Sequence, residues 1–293
     1  MATQLEIEQL RKVTVGLLKE AFSVHQTLGP EGKSTDKTNV FGENTLKADW
    51  EAEEVIINGC LKIGIPIVIS SEEHGEVTIG EKPKYRGILD GIDGTNAYRM
   101  GTGPYGTMFA IYEGTNPRYR DYLVAGILEY PSERILIVAK NQGAFVLTNN
   151  QAYPAITSGE TDLASNQTRI FIDGGFKFNR RFFEPRFRNF QYLYIGNIEN
   201  KGNPWEVSSI YYFKLATGEA DVVLECTRKR NLEIAVAFGI LNEVGGVIVD
   251  GNGRSIADRN YLEFSQNANE YLPIISAATE SLAKKVVAVY NTL

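Results

Sequence analysis

Apolar residues in the first part of the chain recur with helical period. Leu5, Leu10, Val13, Leu17, Ala21 and Phe22 form one stripe with Glu, Lys and Arg between them, which predicts an amphipathic helix. Gly29-Pro30 ends it. The polar segment from Glu31 to Lys47, with two glycines and many Lys, Thr and Asn residues, reads as a mobile loop. A second helix is predicted from Ala48 to Leu61, burying Trp50, Val55 and Ile56. Ile65-Pro66-Ile67-Val68-Ile69 reads as a short buried strand whose proline marks its first residues or an edge, and Ser70-Ser71-Glu72-Glu73 ends it.

From Thr107 the pattern becomes a succession of strands, at Thr107–Tyr112, Leu123–Tyr130, Arg134–Ala139 and Ala144–Leu147. Asn141-Gln142-Gly143 is a hairpin turn between the last two. Helices layered on an antiparallel sheet are expected for this half. The Ser-, Thr-, Asn- and Gly-rich stretch Gln151–Asn166 suggests a boundary, giving sub-domains 1–155 and 156–293. Beyond it strands at Arg169–Asp173, Tyr192–Ile195, Ala220–Leu224, Val247–Val249 and Leu272–Ser276 alternate with helices at Asn179–Asn189, Ser208–Thr217, Asn231–Glu243 and Thr279–Tyr290. Such alternation argues for an α/β second half.

Composition narrows the function classes. The 293 residues carry 43% hydrophobic and 23% charged side chains and a formal net charge of −6, so nucleic acid is not expected as a partner. The N-terminal residues lack the pattern of a signal peptide and no apolar run is long enough to span a bilayer, so a cytoplasmic enzyme with no membrane partner is expected. Cys60 and Cys226 are far apart, have no metal-ligand spacing and read as buried thiols.

The chemistry concentrates in Leu89-Asp90-Gly91-Ile92-Asp93-Gly94-Thr95-Asn96. Asp90 and Asp93 end an apolar run and precede a helix start, an arrangement suited to a hard cation and a phosphate, although Asp and Gly also favour ordinary turns. A second acidic pair, Glu72-Glu73, ends the preceding strand. Carboxylates from neighbouring strands would converge in a cluster that repels itself unless cations occupy it. The Gly101-Thr102-Gly103-Pro104-Tyr105-Gly106 match to a dinucleotide fingerprint is discounted, because Pro104 and a following strand contradict its helix. The Asp spacing also differs from that of haloacid-dehalogenase-type enzymes, and no EF-hand ligand series follows.

Three blocks together resemble the inositol monophosphatase family, especially its bifunctional inositol monophosphatase/fructose-1,6-bisphosphatase branch from archaea and some bacteria. They are Ile69-Ser70-Ser71-Glu72-Glu73-His74-Gly75, the Leu89–Asn96 signature with Gly91 in place of the usual proline, and Arg228-Lys229-Arg230-Asn231-Leu232-Glu233-Ile234-Ala235 running on to Gly245-Gly246. The resemblance implies a layered αβαβα sandwich, the sugar phosphatase fold, combining α+β and α/β halves. It implies Glu72, Asp90, the Ile92 carbonyl, Asp93 and Glu233 as metal ligands. Asp49 and Thr95 correspond to the pair that orients the attacking water, with Glu72 beside them in the catalytic set. Asp93, Gly94, Thr95, Glu225 and Arg228 are the implied substrate contacts. Glu233 stands after Leu232, where the family carries an aspartate after an aromatic residue.

The expected activity is a Mg2+-dependent phosphomonoesterase with two or three ions per site, hydrolysing inositol monophosphate, fructose 1,6-bisphosphate or a similar small phosphorylated metabolite, in a homodimer. Two alternatives are a 3'-phosphoadenosine-type nucleotide phosphatase and a catalytically weakened homologue that binds phosphate ligands. Arg228-Lys229-Arg230 reads either as a site for a second phosphate or as a solvated basic turn. His74 is a poor match for magnesium, His25 reads as a surface or capping residue, and Phe176–Phe190 reads as a helix with a packed aromatic face.

Overall fold

The computed structural model describes residues 2–35, 37–39, 42, 44–174, 176–196, 207–227, 232–262 and 271–292. Helix α1 (Gln4–Leu28) opens on a capping box in which the Thr3 hydroxyl accepts from Glu6 N at 3.2 Å and the Glu6 carboxylate accepts from Thr3 N at 2.7 Å. A 3-10 turn, Gly29–Lys33, follows it. The segment read as a mobile loop contains a short antiparallel pair, β1 (Lys37–Thr38) and β2 (Asn44–Thr45). Helix α2 (Lys47–Ile63) ends at left-handed Gly64, whose N–H donates to Cys60 O and Leu61 O.

The large sheet collects β3 (Ile67–Ser71), β4 (Gly75–Ile79), β5 (Tyr85–Asp93), β6 (Tyr105–Glu113), β7 (Tyr122–Tyr130), β8 (Arg134–Ala139), β9 (Ala144–Thr148) and β10 (Gln151–Pro154) in the order β10-β9-β8-β7-β6-β5-β3-β4. Helix α3 (Thr95–Met100) follows β5. The small sheet orders its strands β12-β11-β13-β15-β14. They are β11 (Arg169–Asp173), β12 (Tyr192–Gly196), β13 (Val222–Cys226), β14 (Val247–Asp250) and β15 (Pro273–Ala277), alternating with α4 (Lys177–Phe187), α5 (Ser208–Ala216), α6 (Leu232–Val244) and α7 (Glu280–Tyr290).

The result is five layers. Helices α1 and α2 cover one face of the large sheet, α5 and α6 lie between the sheets, and α4 and α7 cover the far face of the small sheet. The two-residue period of the strands explains why the large sheet can be covered on both faces. Met108, Ala110 and Tyr112 of β6 enter the core shared with the small sheet, while Phe109 and Ile111 enter the core beneath α1 and α2. Helix α6 is apolar nearly all round, as a helix must be in the middle of such a stack, and every residue from Leu232 to Leu241 is buried. Among the described residues no helix is long and apolar enough to cross a membrane.

Several local expectations are corrected. Trp50 and Val55 are half-buried, because the inward stripe of α2 is Ala48, Asp49, Ala52, Glu53, Ile56, Ile57, Gly59 and Cys60, carboxylates included. Strand β4 was not expected. The first residues of the Gln151–Asn166 stretch form β10, an edge strand whose four residues are exposed and so carry no alternating pattern. Its hairpin turn is Asn149-Asn150, both with positive φ, 48° and 60°, as a two-residue turn of this type requires. The Gly101–Gly106 segment is a connection, with Gly101 closing α3 and β6 starting at Tyr105. Both cysteines are buried free thiols.

Leu18 of α1 is fully buried against the large sheet, whereas Leu5 on the same helix is exposed. Leu18→Ala should therefore destabilise the protein by about 2–5 kcal/mol. Leu5→Ala should change stability by no more than about 0.5 kcal/mol, both read from denaturant midpoints with unchanged slope.

Candidate active site

Strands β3 and β5 are parallel neighbours with Ser71 opposite Leu89, so their C-terminal ends bring Glu72 and the Asp90–Asp93 segment to one sheet edge. Glu72 N donates to Leu89 O at 3.3 Å across this end. In an unbroken strand, residues three apart point to opposite faces. Here the β5–β6 register shifts, with Asp90 opposite Met108 and Asp93 opposite Gly106, so an extra residue is bulged out. Asp90, Asp93 and Glu233, in the first turn of α6, each place a carboxylate oxygen within 4.8 Å of the others'.

The oxygens of this cluster are held differently. Asp93 Oδ2 accepts from Ser209 N, in the first turn of α5, at 2.5 Å. Asp90 Oδ1 is buried with no hydrogen-bond partner among the described residues. Burial holds the Asp90 carboxyl well above its usual range, and the charges of Glu72, Asp93, Asp49 and Glu233 push it further. Buried oxygen donors, one of them orphaned, in a group that repels itself fit a hard divalent cation. Half-buried Glu72 acts strongly on Asp90 but is not one of the three clustered carboxylates.

Asp49 reaches the same segment from α2. Its Oδ1 accepts from Ile92 N at 2.8 Å, and its Oδ2 accepts a long hydrogen bond, 3.4 Å, from the Thr95 hydroxyl, which is also 3.4 Å from the Ile92 carbonyl oxygen. Burial, then the charges of Glu73, Glu72 and Glu53, raise the Asp49 carboxyl well above its ordinary range. Gly94 precedes α3 at φ 106°, and a Cβ there would lie 2.9 Å from Tyr105 Cβ and from Val207 Cγ2, so glycine is needed on both counts. Glu225, buried on β13, accepts from the Ser208 hydroxyl at 3.0 Å and from the Tyr212 hydroxyl. Burial and the charge of Glu233 push its carboxyl up to about 8. Arg228, with Lys229, Arg230 and Asn231, lies outside the described residues.

Both histidines pack beside the site, and the reading of His25 is corrected. His74 Nδ1 is 3.0 Å from the buried Glu53 carboxylate, and its ring packs 3.9 Å from Trp50. His25 is neither surface nor cap. Its Nε2 meets the Tyr105 hydroxyl at 2.9 Å, it packs 4.4 Å from Tyr130, and burial lowers it to about 4. That aromatic group supports the site from behind. Tyr130 contacts the Thr107 hydroxyl at 3.0 Å, and Thr107 donates to Gly91 O at 2.6 Å.

Glu53 and Ser209 had not been singled out. Ser209 acts through its backbone, which side-chain identity cannot report. Glu53 did leave a signal, since it lies four residues after Asp49 on the apolar stripe of α2.

Comparison with known proteins identifies the family and the fold. The family model described as the inositol monophosphatase family matches residues 3–289. Among curated proteins, the fructose-1,6-bisphosphatase/inositol-1-monophosphatase of Thermococcus kodakarensis is 24% identical over 85% of this chain and 84% of its own length. The bifunctional NADP phosphatase/NAD kinase of Methanococcus maripaludis is also 24% identical, over 87% of this chain, but the match spans only 44% of that longer protein. Among solved structures, the extragenic suppressor protein suhB of Bartonella henselae superposes with a TM-score of 0.73 at 16% identity, covering 96% of this chain and 98% of that one, which establishes likeness of fold.

The buried charge predicts the behaviour of the metal-free protein. Glu225 keeps its proton up to about pH 8 when folded, against an ordinary value of 4.5, so the stability it contributes is present at acid pH and lost as pH rises through 8. Thermal unfolding in chelator should show the melting temperature falling between those limits, with Glu225→Gln flattening the fall. Asp90→Asn should raise the chelated protein's melting temperature by about 2–5 °C, roughly 1–2 kcal/mol, and remove stabilisation by Mg2+.

Proposed function

The chain belongs to the inositol monophosphatase family, and on that premise we propose that it is a magnesium-dependent phosphomonoesterase of small sugar or inositol phosphates. The first candidate substrates are inositol monophosphate and fructose 1,6-bisphosphate, the substrates named for the Thermococcus relative. The observation that carries this reading is the buried cluster of Asp90, Asp93 and Glu233 with its orphaned Asp90 oxygen.

Glu72, Asp90, the Ile92 carbonyl, Asp93 and Glu233 would hold two or three Mg2+ ions. Magnesium bound there neutralises phosphate charge and makes water a competent nucleophile by lowering its pKa. The chain's own groups supply position and proton handling. Asp49 accepts a hydrogen bond from the Thr95 hydroxyl and so orients the Thr95 oxygen as an acceptor for the attacking water. The N–H groups of Gly94 and Thr95, at the start of α3, are the donors assigned to phosphate oxygens. Asp93, fixed by Ser209 N, is assigned to both cation and substrate. Glu225, steadied by Ser208 and Tyr212, is assigned to substrate hydroxyls, and Arg228 to the second phosphate of a bisphosphate. No covalent phosphoenzyme is needed. Residues 1–155 and 156–293 act as two sub-domains, and a cytoplasmic homodimer is part of the same proposal.

A nucleotide phosphate ester is the second reading, favoured by the partial match to the NADP phosphatase/NAD kinase. A 3'-phosphoadenosine compound belongs in the same test. The purified protein with Mg2+ should release phosphate from one or more members of a panel of inositol, sugar and nucleotide phosphates, and release should stop in chelator. Absence of release across the panel overturns the enzyme reading. Asp90→Asn removes a direct metal ligand, so its loss should exceed the about 10–100-fold typical of outer-shell substitutions. Tight ligand binding without turnover, together with turnover in Glu233→Asp, would instead identify a weakened, ligand-binding homologue.

A further inference from the structure

Glu53 has no part in the roles assigned above, yet it is fully buried and its carboxylate is the hub of the turn between β3 and β4. Oε1 accepts from Glu72 N at 3.1 Å. Oε2 accepts from Glu73 N at 3.0 Å, His74 N at 3.3 Å and His74 Nδ1 at 3.0 Å, and from the Ser71 hydroxyl. One carboxylate on α2 thus gathers donors from four consecutive residues, and Glu72, the candidate metal ligand, is among them. Carboxylates satisfied by several backbone N–H groups are geometrically well fixed, because each bond restricts a different torsion of the turn.

Gly91 supplies the second half of the arrangement. A Cβ at this position would lie 2.6 Å from Asp49 O, 2.7 Å from Asp49 Oδ1 and 2.7 Å from Glu53 Cγ. Backbone is among those obstacles, so the contact cannot be relieved by turning a side chain alone. The signature usually has proline here, and a proline ring begins with that same Cβ. Where this chain carries glycine, α2 comes closer to the signature segment than a side chain would permit. The approach brings Asp49 Oδ1 onto Ile92 N and Glu53 onto the Glu72 turn.

We propose that Glu53 and Gly91 form one positioning device. Gly91 admits α2 against the bulge of β5, and Glu53 then locks the turn that presents Glu72 beside Asp90. Glu53 touches neither substrate nor reacting atoms and acts through Glu72, so it is a positioning residue. The inference rests on the reading of the acidic cluster as a divalent-metal centre. It has a specific consequence: putting the family's proline back at position 91 would damage the site.

Calorimetric titration of the purified chain with MgCl2 alone tests this without recourse to turnover. Glu53→Gln and Gly91→Ala should each weaken Mg2+ binding by about 10–100-fold, the range for residues that orient metal ligands. Because the two act through one contact, the double variant should lose little more than the worse single variant, whereas independent sites would lose the product of the two factors. Circular dichroism in chelator checks that each variant is folded, and if Glu53→Gln is not, Gly91→Ala decides. Wild-type affinity in the folded single variants overturns the proposal, as do multiplicative losses in the double variant. A wild-type protein that binds no Mg2+ overturns the metal-centre reading itself, a failure distinct from that of an unaffected variant.

Discussion

The gathering of like charge in the interior is the constraint on which the rest of the structure depends. Asp49, Glu53, Asp90, Asp93, Glu225 and Glu233 are all buried, and Asp49, Asp90 and Glu225 each have the charges of other carboxylates among the causes that raise them. Repulsion between such groups grows as the local dielectric falls, so a loose scaffold would separate them or admit water. The protein restrains them with donors set by the backbone. Ser209 N holds Asp93, Ile92 N holds Asp49, and the N–H groups of residues 72–74 hold Glu53. The orphaned Asp90 oxygen is the point at which restraint from the chain ends and a cation is called for.

Each restraint comes from a different layer. Helix α2 reaches the cluster from the outer layer, β3 and β5 from the large sheet, and α5 and α6 from between the sheets. The site therefore lies where the C-terminal ends of two parallel strands meet the first turns of two buried helices. Moving any one layer would change several oxygen-to-oxygen separations together. Packing in both cores and electrostatics at the site are linked for this reason, since β5 and β6, whose side chains enter both cores, also carry the register shift that separates Asp90 from Asp93.

The parts of this arrangement legible in the sequence were those whose physics is local. Arg134–Ala139 and Arg169–Asp173 are strands with the expected limits, and α6 begins and ends within a residue of its apolar run. Asp90 and Asp93 stood out because they end an apolar strand just before a helix start while a second acidic pair ends the preceding strand, and the structure gathers them with Glu233. Strand β10 did not, because an exposed edge strand has no buried face to impose alternation. His25 was misread for the opposite reason, as its burial comes from Tyr98, Tyr105 and Tyr130, far away in sequence. Glu53 could have been found from its place on the inward stripe of α2, but its partners, residues 71–74, become neighbours only when the turn folds over the helix.

Two departures from the family signature, Gly91 and Glu233, are better understood through their surroundings than as isolated losses. Glu233 stands in the first turn of α6, a helix buried between two sheets, so its Cα cannot retreat to make room for a longer side chain. Even so, its carboxylate oxygen lies within 4.8 Å of oxygens from Asp90 and Asp93, which means the extra methylene is taken up within the side chain and the oxygen still reaches the cluster. Its charge also bears on Glu225, which Ser208 and Tyr212 hold in place. At Gly91 the missing side chain is matched by the close approach of Asp49 and Glu53. At Gly91 the neighbouring helix α2 occupies the space that a side chain would need, and at Glu233 the longer side chain brings an oxygen to those of Asp90 and Asp93, so different side-chain lengths are accommodated within one convergent acidic centre.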